Sequence, residues 1–119
     1  MDDTFAILNV WKRSRRLAIN IYEIFSNCND QGIKNRITHA ADSIPTNLAE
    51  GYEQNSGDDF VKLLLLASEA CVELHTQLLV CENTSLINKE ITSKLEQEIL
   101  EISGILQGLV HHYNFDMDS

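Results

Sequence analysis

The stretch of sequence that decides the fold is Ser43-Ile44-Pro45-Thr46-Asn47-Leu48-Ala49-Glu50-Gly51-Tyr52. It places the single proline of the chain inside a segment whose apolar residues recur at helical spacing, namely Ile33, Ile37, Ala40, Ala41, Ile44 and Leu48. A proline in a helix interior removes the hydrogen bond to the carbonyl four residues earlier, here that of Ala41, and costs roughly 3 kcal/mol. Tertiary packing must therefore hold this segment in place. Ser43, Thr46 and Asn47 are close enough in sequence to supply side-chain partners for the freed backbone.

The rest of the chain predicts three more helices and no convincing strand. The predicted bounds of the four helices are residues 4–28, 31–51, 57–82 and 88–113. Gly51 is well placed to end the second helix in a left-handed conformation, and Ser56 is well placed to cap the start of the third. Because short loops between long amphipathic helices favour antiparallel neighbours, the sequence predicts a single all-α domain, an antiparallel up-down four-helix bundle.

The third predicted helix is apolar on nearly every side. Its apolar residues are Phe60, Val61, Leu63, Leu64, Leu65, Leu66, Ala67, Ala70, Cys71, Val72, Leu74, Leu78, Leu79, Val80 and Cys81. A helix on the surface of a monomer needs one apolar stripe, which faces its own core. This helix has enough apolar residues for two contacts, one within its bundle and one with another surface, such as a neighbouring subunit.

The fourth predicted helix carries a coiled-coil seam. Its apolar residues alternate steps of four and three along the chain: Leu95, Ile99, Ile102, Leu106, Leu109 and Tyr113. Gly104 and Gly108 lie about one turn apart, and we expect a close contact with another helix there.

Composition excludes several classes of protein. The 119 residues are 44% apolar, which is typical of a globular domain. The longest unbroken apolar run, Leu63 to Ala67, is far short of the ~20 residues that a membrane span needs. The start, Met1-Asp2-Asp3-Thr4, lacks the basic segment of a signal peptide, so we expect a cytoplasmic protein without a membrane partner. Three cysteines without a C-x-x-C spacing argue against a disulfide framework or a zinc site.

The net charge of −9 is unevenly distributed along the chain. Residues 1–36 hold six basic and four acidic groups, whereas residues 37–119 hold three basic and fourteen acidic groups. A nucleic acid would be repelled by most of such a surface. The candidate nucleic-acid-binding residues are therefore those of the N-terminal third: Lys12, Arg13, Arg15, Arg16, Lys34 and Arg36. The alternative is a solvated helix face whose cations pair with acidic neighbours.

Polar residues on the second and third helices also recur at helical spacing. They are Ser43, Asn47, Glu50, Glu69, Glu73, Thr76 and Gln77. One interpretation is a carboxylate metal site, but di-iron bundles use Glu-x-x-His pairs and neither Glu69 nor Glu73 begins one. The other is a buried hydrogen-bond network that fixes helix register or subunit orientation, which we hypothesise for Asn47 and Glu50.

No catalytic constellation appears in the sequence. A G-x-S-x-G turn and a G-K-[ST] loop are both missing, and the histidines are scattered. We therefore predict no catalytic residue, no metal ligand and no cofactor, and we expect that the protein is not an enzyme.

Several segments resemble the "four helix bundle protein" family. The resemblance rests on Val10-Trp11, Ile21-Tyr22, Arg36-Ile37, Ala40 through Tyr52, Ser56, Phe60, Leu64, Ala67 and Glu73 through Leu78. Its most specific part is the S-I-P-x-N-x-A-E-G core, and the motif residues it singles out are Ser43, Ile44, Pro45, Asn47, Glu50, Gly51, Glu73 and Thr76. The family includes proteins encoded by intervening sequences in bacterial 23S ribosomal RNA genes. It also includes the accessory variability determinant of diversity-generating retroelements.

The resemblance implies a four-helix bundle that assembles as a homopentameric barrel. In the retroelement branch it implies a positively charged barrel that assists a reverse transcriptase and its RNA. Here Thr38-His39 and Glu53-Gln54 stand where that family usually has further basic residues, which weakens phosphate binding. We therefore expect a non-enzymatic, homo-oligomeric scaffold or accessory protein for a protein partner, such as a reverse transcriptase. The alternative is a nucleic-acid-associated accessory factor of the retroelement or ribosomal RNA type.

Overall fold

The computed structural model consists of four helices: α1 Thr4–Ile24, α2 Gln31–Gln54, α3 Gly57–Asn83 and α4 Lys89–Asp118. It describes residues 4–54, 57–84 and 86–118, and the side chains of residues 4–53, 58–84 and 86–113. Within these residues there is no strand, so the predicted all-α class is confirmed. The predicted helix cap Ser56 lies outside the described residues.

The helices form an elongated bundle of 49 × 21 × 21 Å in which each helix packs against two others. In the described part of the chain, α1 contacts α2 and α4, and α3 contacts α2 and α4, whereas the diagonal pairs do not meet. The contact between α2 and α3 is the most extensive, and that between α1 and α4 is the smallest. Short connections between sequential neighbours make adjacent helices antiparallel, so α1 and α3 run in the same direction.

The core consists of one apolar stripe from each helix. The predicted seam of α4 is buried as expected at Leu95, Ile99, Ile102, Leu106 and Leu109. It belongs to one apolar cluster with fully buried residues of the other three helices, among them Leu17, Ile21, Ile37, Ile44, Leu48, Leu64, Leu74 and Leu78. Each such side chain contributes about 1.5–3 kcal/mol when it leaves water.

Helix α2 continues through Pro45 without a break, and Pro45 itself is buried. Ile44 and Leu48, on either side of Pro45, are buried in the core, so packing holds this segment as predicted. The Ser43 hydroxyl donates to the carbonyl of His39, and the Asn47 amide donates to the carbonyl of Ser43, each at 2.8 Å. The accepting carbonyls belong to His39 and Ser43, which precede and follow Ala41 in the chain. The expectation that the side chains of Ser43 and Asn47 provide a new partner for the Ala41 carbonyl is therefore wrong.

Gly51 does not end α2, because the helix continues to Gln54. A Cβ atom at Gly51 would lie 3.0 Å from Cδ1 of Phe60 and 3.2 Å from Cβ of Leu63. The missing side chain therefore allows α2 and α3 to approach closely where they meet.

Gly104 and Gly108 show the opposite situation on α4. Both are exposed, and a Cβ atom at either position would meet nothing within 4 Å. The expected close helix contact at these glycines is therefore wrong within this chain.

Side-chain caps fix the starts of α2 and α4. The Asp30 carboxylate accepts a hydrogen bond from the backbone N–H of Ile33 at 3.1 Å, and the Asn88 side chain accepts one from that of Ile91 at 2.8 Å. Such caps satisfy backbone donors that have no partner inside the helix. They place the starts of α2 and α4 within a residue of the predicted positions, whereas α1 ends earlier than predicted and α4 extends further.

Candidate interaction surfaces

The outer face of α3, defined by Leu65, Leu66, Val72, Leu79 and Val80, is an apolar surface open to solvent. Leu65, Val72 and Leu79 are seven residues apart, and Leu66 and Val80 flank this row. All five are exposed, Val72 to 63%. Because seven residues make nearly two helical turns, these side chains recur along one side of the helix, and the exposed Glu69, Glu73 and Thr76 lie between them. The sequence predicted this second apolar side of the third helix, and the structure confirms it.

The inner face of α3 carries similar side chains, but they are buried. Leu64, Leu74 and Leu78 lie in the core, as do the two cysteines Cys71 and Cys81. Burial in apolar surroundings raises the pKa of the Cys71 thiol to about 12. The pKa of Cys81 is also raised, first by burial and then by Cys28 and Asp30. Both thiols therefore stay protonated near neutral pH and act as small apolar side chains.

The segment Asp58–Asn83 also has the length and apolar composition of a membrane-spanning helix. The mean hydropathy of its most apolar 18-residue window is 1.4, and 33% of that window is buried inside the bundle. Core helices of water-soluble bundles share these properties. Its exposed side also holds the carboxylates of Glu69 and Glu73, which would be costly in the interior of a bilayer. These two carboxylates therefore argue against a position of α3 in the interior of a bilayer.

The polar residues singled out on α2 and α3 do not meet in a buried network. Glu50, Glu69 and Glu73 are exposed. Asn47 bonds within its own helix, and the Thr76 hydroxyl donates to the carbonyl of Val72 at 3.0 Å. A role for Asn47 or Glu50 in subunit contacts stays a prediction. In the described part of the chain, no three His, Cys, Asp or Glu side chains lie close enough to hold a metal ion.

Arg13, one of the candidate nucleic-acid-binding residues, is engaged by two glutamates of α4 at the partly exposed edge between α1 and α4. Its guanidinium donates to both carboxylate oxygens of Glu98, at 3.1 and 2.6 Å, and to Glu101 at 2.9 Å. These bonds hold the pKa of Arg13 above its ordinary value, Glu98 having the larger effect, and its hydrogen bond lowers the pKa of Glu101. Arg13 thus links α1 to α4 where the apolar contact between helices is smallest.

The other five candidate cations fall into three groups. The Lys34 ammonium donates to the carbonyl of Ser26 at 3.1 Å and closes the turn between α1 and α2. Arg36 lies on α2, at the edge of a shallow polar depression of about 510 Å³. This depression is lined by Tyr22, Asn35, Arg36, Thr38, His39, Asp42 and Glu73. Lys12, Arg15 and Arg16 are exposed on α1 and form no ion pair with any acid that the structure describes.

The outer face of α1, defined by Leu8, Lys12, Arg15 and Ile19, is a row of exposed side chains at steps of four, three and four. Arg15 also lies over the ring of Trp11, with its guanidinium carbon 5.2 Å from the ring centroid. Such a cation–π contact holds the charge at a fixed position on the surface. This face is therefore apolar at both ends and positively charged in the middle.

An apolar groove of about 220 Å³ adjoins the outer face of α1. Its walls are Thr4, Ile7, Leu8 and Trp11 from α1, with Leu48, Ala49, Tyr52 and Glu53 from α2. Leu8 and Tyr52 remain exposed at its rim. Sequence reasoning did not predict this groove, because its two walls lie about forty residues apart in the chain.

A second contact missed from the sequence joins α3 to α4. A ring nitrogen of His75 lies 2.7 Å from a carboxylate oxygen of Glu96, and both side chains are half-buried. Neither residue lines the groove or the depression, so the pair ties two helices together without forming a pocket.

Comparison with known proteins agrees with this architecture. A crystal structure of a protein of unknown function from the S23 ribosomal protein family of Bacteroides thetaiotaomicron superposes with a TM-score of 0.81. It shares 22% sequence identity, and the match covers 88% of this chain and 97% of that one, which shows a common fold. No curated protein matches the sequence closely enough to count as a relative.

The sequence itself matches a family model. The model of the 23S rRNA-intervening sequence protein family matches residues 7–108, which include most of all four helices. The match agrees with the resemblance carried by the proline-containing segment of α2. The chain therefore belongs to the 23S rRNA-intervening sequence protein family.

Proposed function

We propose that the protein is a non-enzymatic, homo-oligomeric scaffold or accessory protein whose subunits associate through the outer face of α3. The observation that carries this proposal is the set of five exposed apolar side chains on one side of α3, Leu65, Leu66, Val72, Leu79 and Val80. Exposed apolar side chains that are grouped on one face among polar residues mark interaction sites. The five-membered ring implied by the family resemblance is part of the same proposal.

The positions of the interhelical ion pairs support a non-enzymatic role. The described interhelical ion pairs are Arg13 with Glu98 and Glu101, and His75 with Glu96. None of these residues lines the apolar groove or the polar depression, so their charges join helices instead of facing a substrate. An assembled ring would instead present repeated copies of its remaining surfaces to a protein partner, which raises avidity.

The proposal is tested by placing charges on the outer face of α3. Leu65→Glu combined with Leu79→Glu should convert the assembly to a monomer of 13.5 kDa in sedimentation, because carboxylates in a dry interface lose their solvation. The matched control is Leu100→Glu, which alters a similarly exposed leucine on α4 and should leave the assembly unchanged. Circular dichroism should show equal helix content in all variants. A wild-type protein that sediments as a monomer would contradict the proposal.

A second candidate function, nucleic-acid association, is favoured by one observation. Exposed cations, Lys12, Arg15 and Arg16, adjoin a groove that contains the aromatic rings of Trp11 and Tyr52. Proteins that bind single strands combine cations with aromatic stacking surfaces. Because Arg13 is ion-paired with Glu98 and Glu101, Arg15→Glu with Arg16→Glu is the informative variant. It should abolish salt-dependent retardation of a structured RNA in a gel, and equal binding by wild type and variant would exclude this face.

A further inference from the structure

We propose that the outer face of α3 of one copy packs against the outer face of α1 of the next copy, side by side and at the same height. This inference rests on the proposed self-association and adds the surface that α3 contacts. The contact is between two different faces, so every copy would use α3 toward one neighbour and α1 toward the other.

The order of side chains along α3 supports the contact with α1. Leu65, Glu69 and Val72 follow one another along the exposed side of the helix, and all three are exposed. The row beside it repeats the pattern, because Glu73 lies midway between Leu66 and Val80. The outer face of α3 is therefore apolar, then acidic, then apolar again. No ion pair engages Glu69 or Glu73 within the described residues.

The outer face of α1 has the complementary order. Leu8 is followed by the cations Lys12 and Arg15 and then by Ile19, with Arg16 beside them. Each exposed α1 cation thus lies between apolar side chains, as do the two α3 carboxylates. An interface that matches apolar with apolar and acid with base gains both burial and specificity of partner.

The positions of the two faces along the bundle axis also support this contact. Leu8 and Tyr52 line the same groove, and a Cβ atom at the adjacent Gly51 would lie 3.2 Å from Cβ of Leu63. Leu8 on α1 is therefore roughly level with Leu63 on α3. Because α1 and α3 run in the same direction and both rise by about 1.5 Å per residue, residues 12–16 are roughly level with residues 67–71. The carboxylates of Glu69 and Glu73 lie at and just beyond this height.

The groove beside α1 could receive a side chain of α3 from the next copy. It lies at the height of Leu8, where the α3 of a neighbour in the same orientation presents Leu65 and Leu66. The groove has about 220 Å³ of space and is lined mainly by apolar side chains. A leucine from the next copy that enters it would bury apolar area on both partners, as anchor residues of protein interfaces do.

Charge also decides against a two-fold contact between α3 faces. Two outer faces of α3 placed together would bring their glutamates into one interface, where like charges repel. Helices α1 and α3 occupy diagonal positions in the bundle and do not meet within the described chain. A contact from α3 to α1 therefore leaves one free face of each kind, and such contacts form a ring when the rotation between neighbours closes and an open filament when it does not.

The test is a pair of charge reversals. Glu69→Lys with Glu73→Lys places cations on the α3 face, and Lys12→Glu with Arg15→Glu places acids on the α1 face. Each double variant alone should raise the concentration for half-assembly about tenfold or more, because like charges then meet at every contact. A quadruple variant that carries all four substitutions in one chain should assemble again near the wild-type concentration, since every cationic α3 face then meets an acidic α1 face in a ring of any size. The control Lys89→Glu with Lys94→Glu has the same charge change on α4 and should assemble as wild type.

The outcomes separate this inference from the proposed function. Assembly of wild type that is lost in Leu65→Glu with Leu79→Glu but unchanged in both charge reversals would overturn the α1 contact and leave self-association standing. A quadruple variant that stays folded but dissociated would do the same. Loss of RNA binding without loss of assembly in Lys12→Glu with Arg15→Glu would assign the α1 cations to nucleic acid and overturn this inference. A monomeric wild type would overturn both.

Discussion

The inner and outer faces of α3 carry similar side chains but meet different surroundings. Leu64, Leu74 and Leu78 on the inner face are almost fully buried, whereas Leu65 and Leu79 on the outer face lie half open to solvent. Adjacent residues differ by about 100° around the helix, so Leu64 lies in the core whereas Leu65 is available to a partner. The comparison shows that the hydrophobicity of this segment exceeds what its own fold requires.

The largest effect should come from truncation of one leucine on each face. Leu74→Ala removes a fully buried side chain and should lower the free energy of unfolding by about 2–5 kcal/mol, because a cavity remains in the core. The matched Leu65→Ala should change the unfolding free energy of the isolated subunit by no more than about 0.5 kcal/mol. Urea unfolding at low protein concentration measures both. Equal decreases in the free energy of unfolding would show that the inner and outer faces of α3 contribute equally to the stability of the subunit.

Gly51 and Gly104 allow a comparison between a tightly packed helix contact and an open helix surface. Gly51→Ala should cost about 1–3 kcal/mol, because the new methyl group would press against Phe60 and Leu63 where α2 and α3 meet. Gly104→Ala meets no neighbour and should stabilise α4 by about 0.5–1 kcal/mol through its higher helix propensity. Thermal unfolding of the two variants should therefore shift in opposite directions. A stabilising Gly51→Ala would contradict the close approach of the two helices.

A smaller effect on stability is expected at the ion pairs between α1 and α4, the two helices with the smallest contact. Arg13→Gln should lower the free energy of unfolding by about 1 kcal/mol at pH 7, in the range of partly exposed ion pairs. The matched Arg16→Gln, at a position without an ion pair in the described structure, should change little.

The same contact should depend on pH. The pKa of Glu101 is lowered by its bond to Arg13, so its stabilising contribution is present above the carboxyl pKa of the unfolded chain. That contribution is lost as the pH falls through the lowered pKa of the folded state. The difference between wild type and Arg13→Gln should therefore shrink below about pH 4 in pH-dependent urea titrations. A difference that grows on acidification would contradict this assignment.

Much of this architecture could be predicted from local spacing. The seam of α4 and the two-sided apolar pattern of α3 follow from helical periodicity, and both agree with the structure. The role of Gly51 did not follow, because a glycine that ends a helix and one that admits a neighbouring helix have the same local sequence. Gly104 shows the converse, since nothing in the sequence reveals that its surroundings are empty.

Contacts between distant parts of the chain also escaped prediction. Arg13 and Glu98 are 85 residues apart, and His75 and Glu96 are on different helices, so no local pattern pairs them. The complementary order of charges on α1 and α3 is visible in the sequence only after the structure shows which side chains are exposed. Helical periodicity fixes the face of each residue relative to its own helix, but not the height of one helix relative to another.

The most direct test of the central claim is the mass of the wild-type protein in solution, measured by light scattering over a range of concentrations. The account predicts a stable multiple of 13.5 kDa, five-fold for the proposed ring, that decreases only on extensive dilution. A constant mass of 13.5 kDa at all concentrations would show that the outer face of α3 needs no cover from another copy.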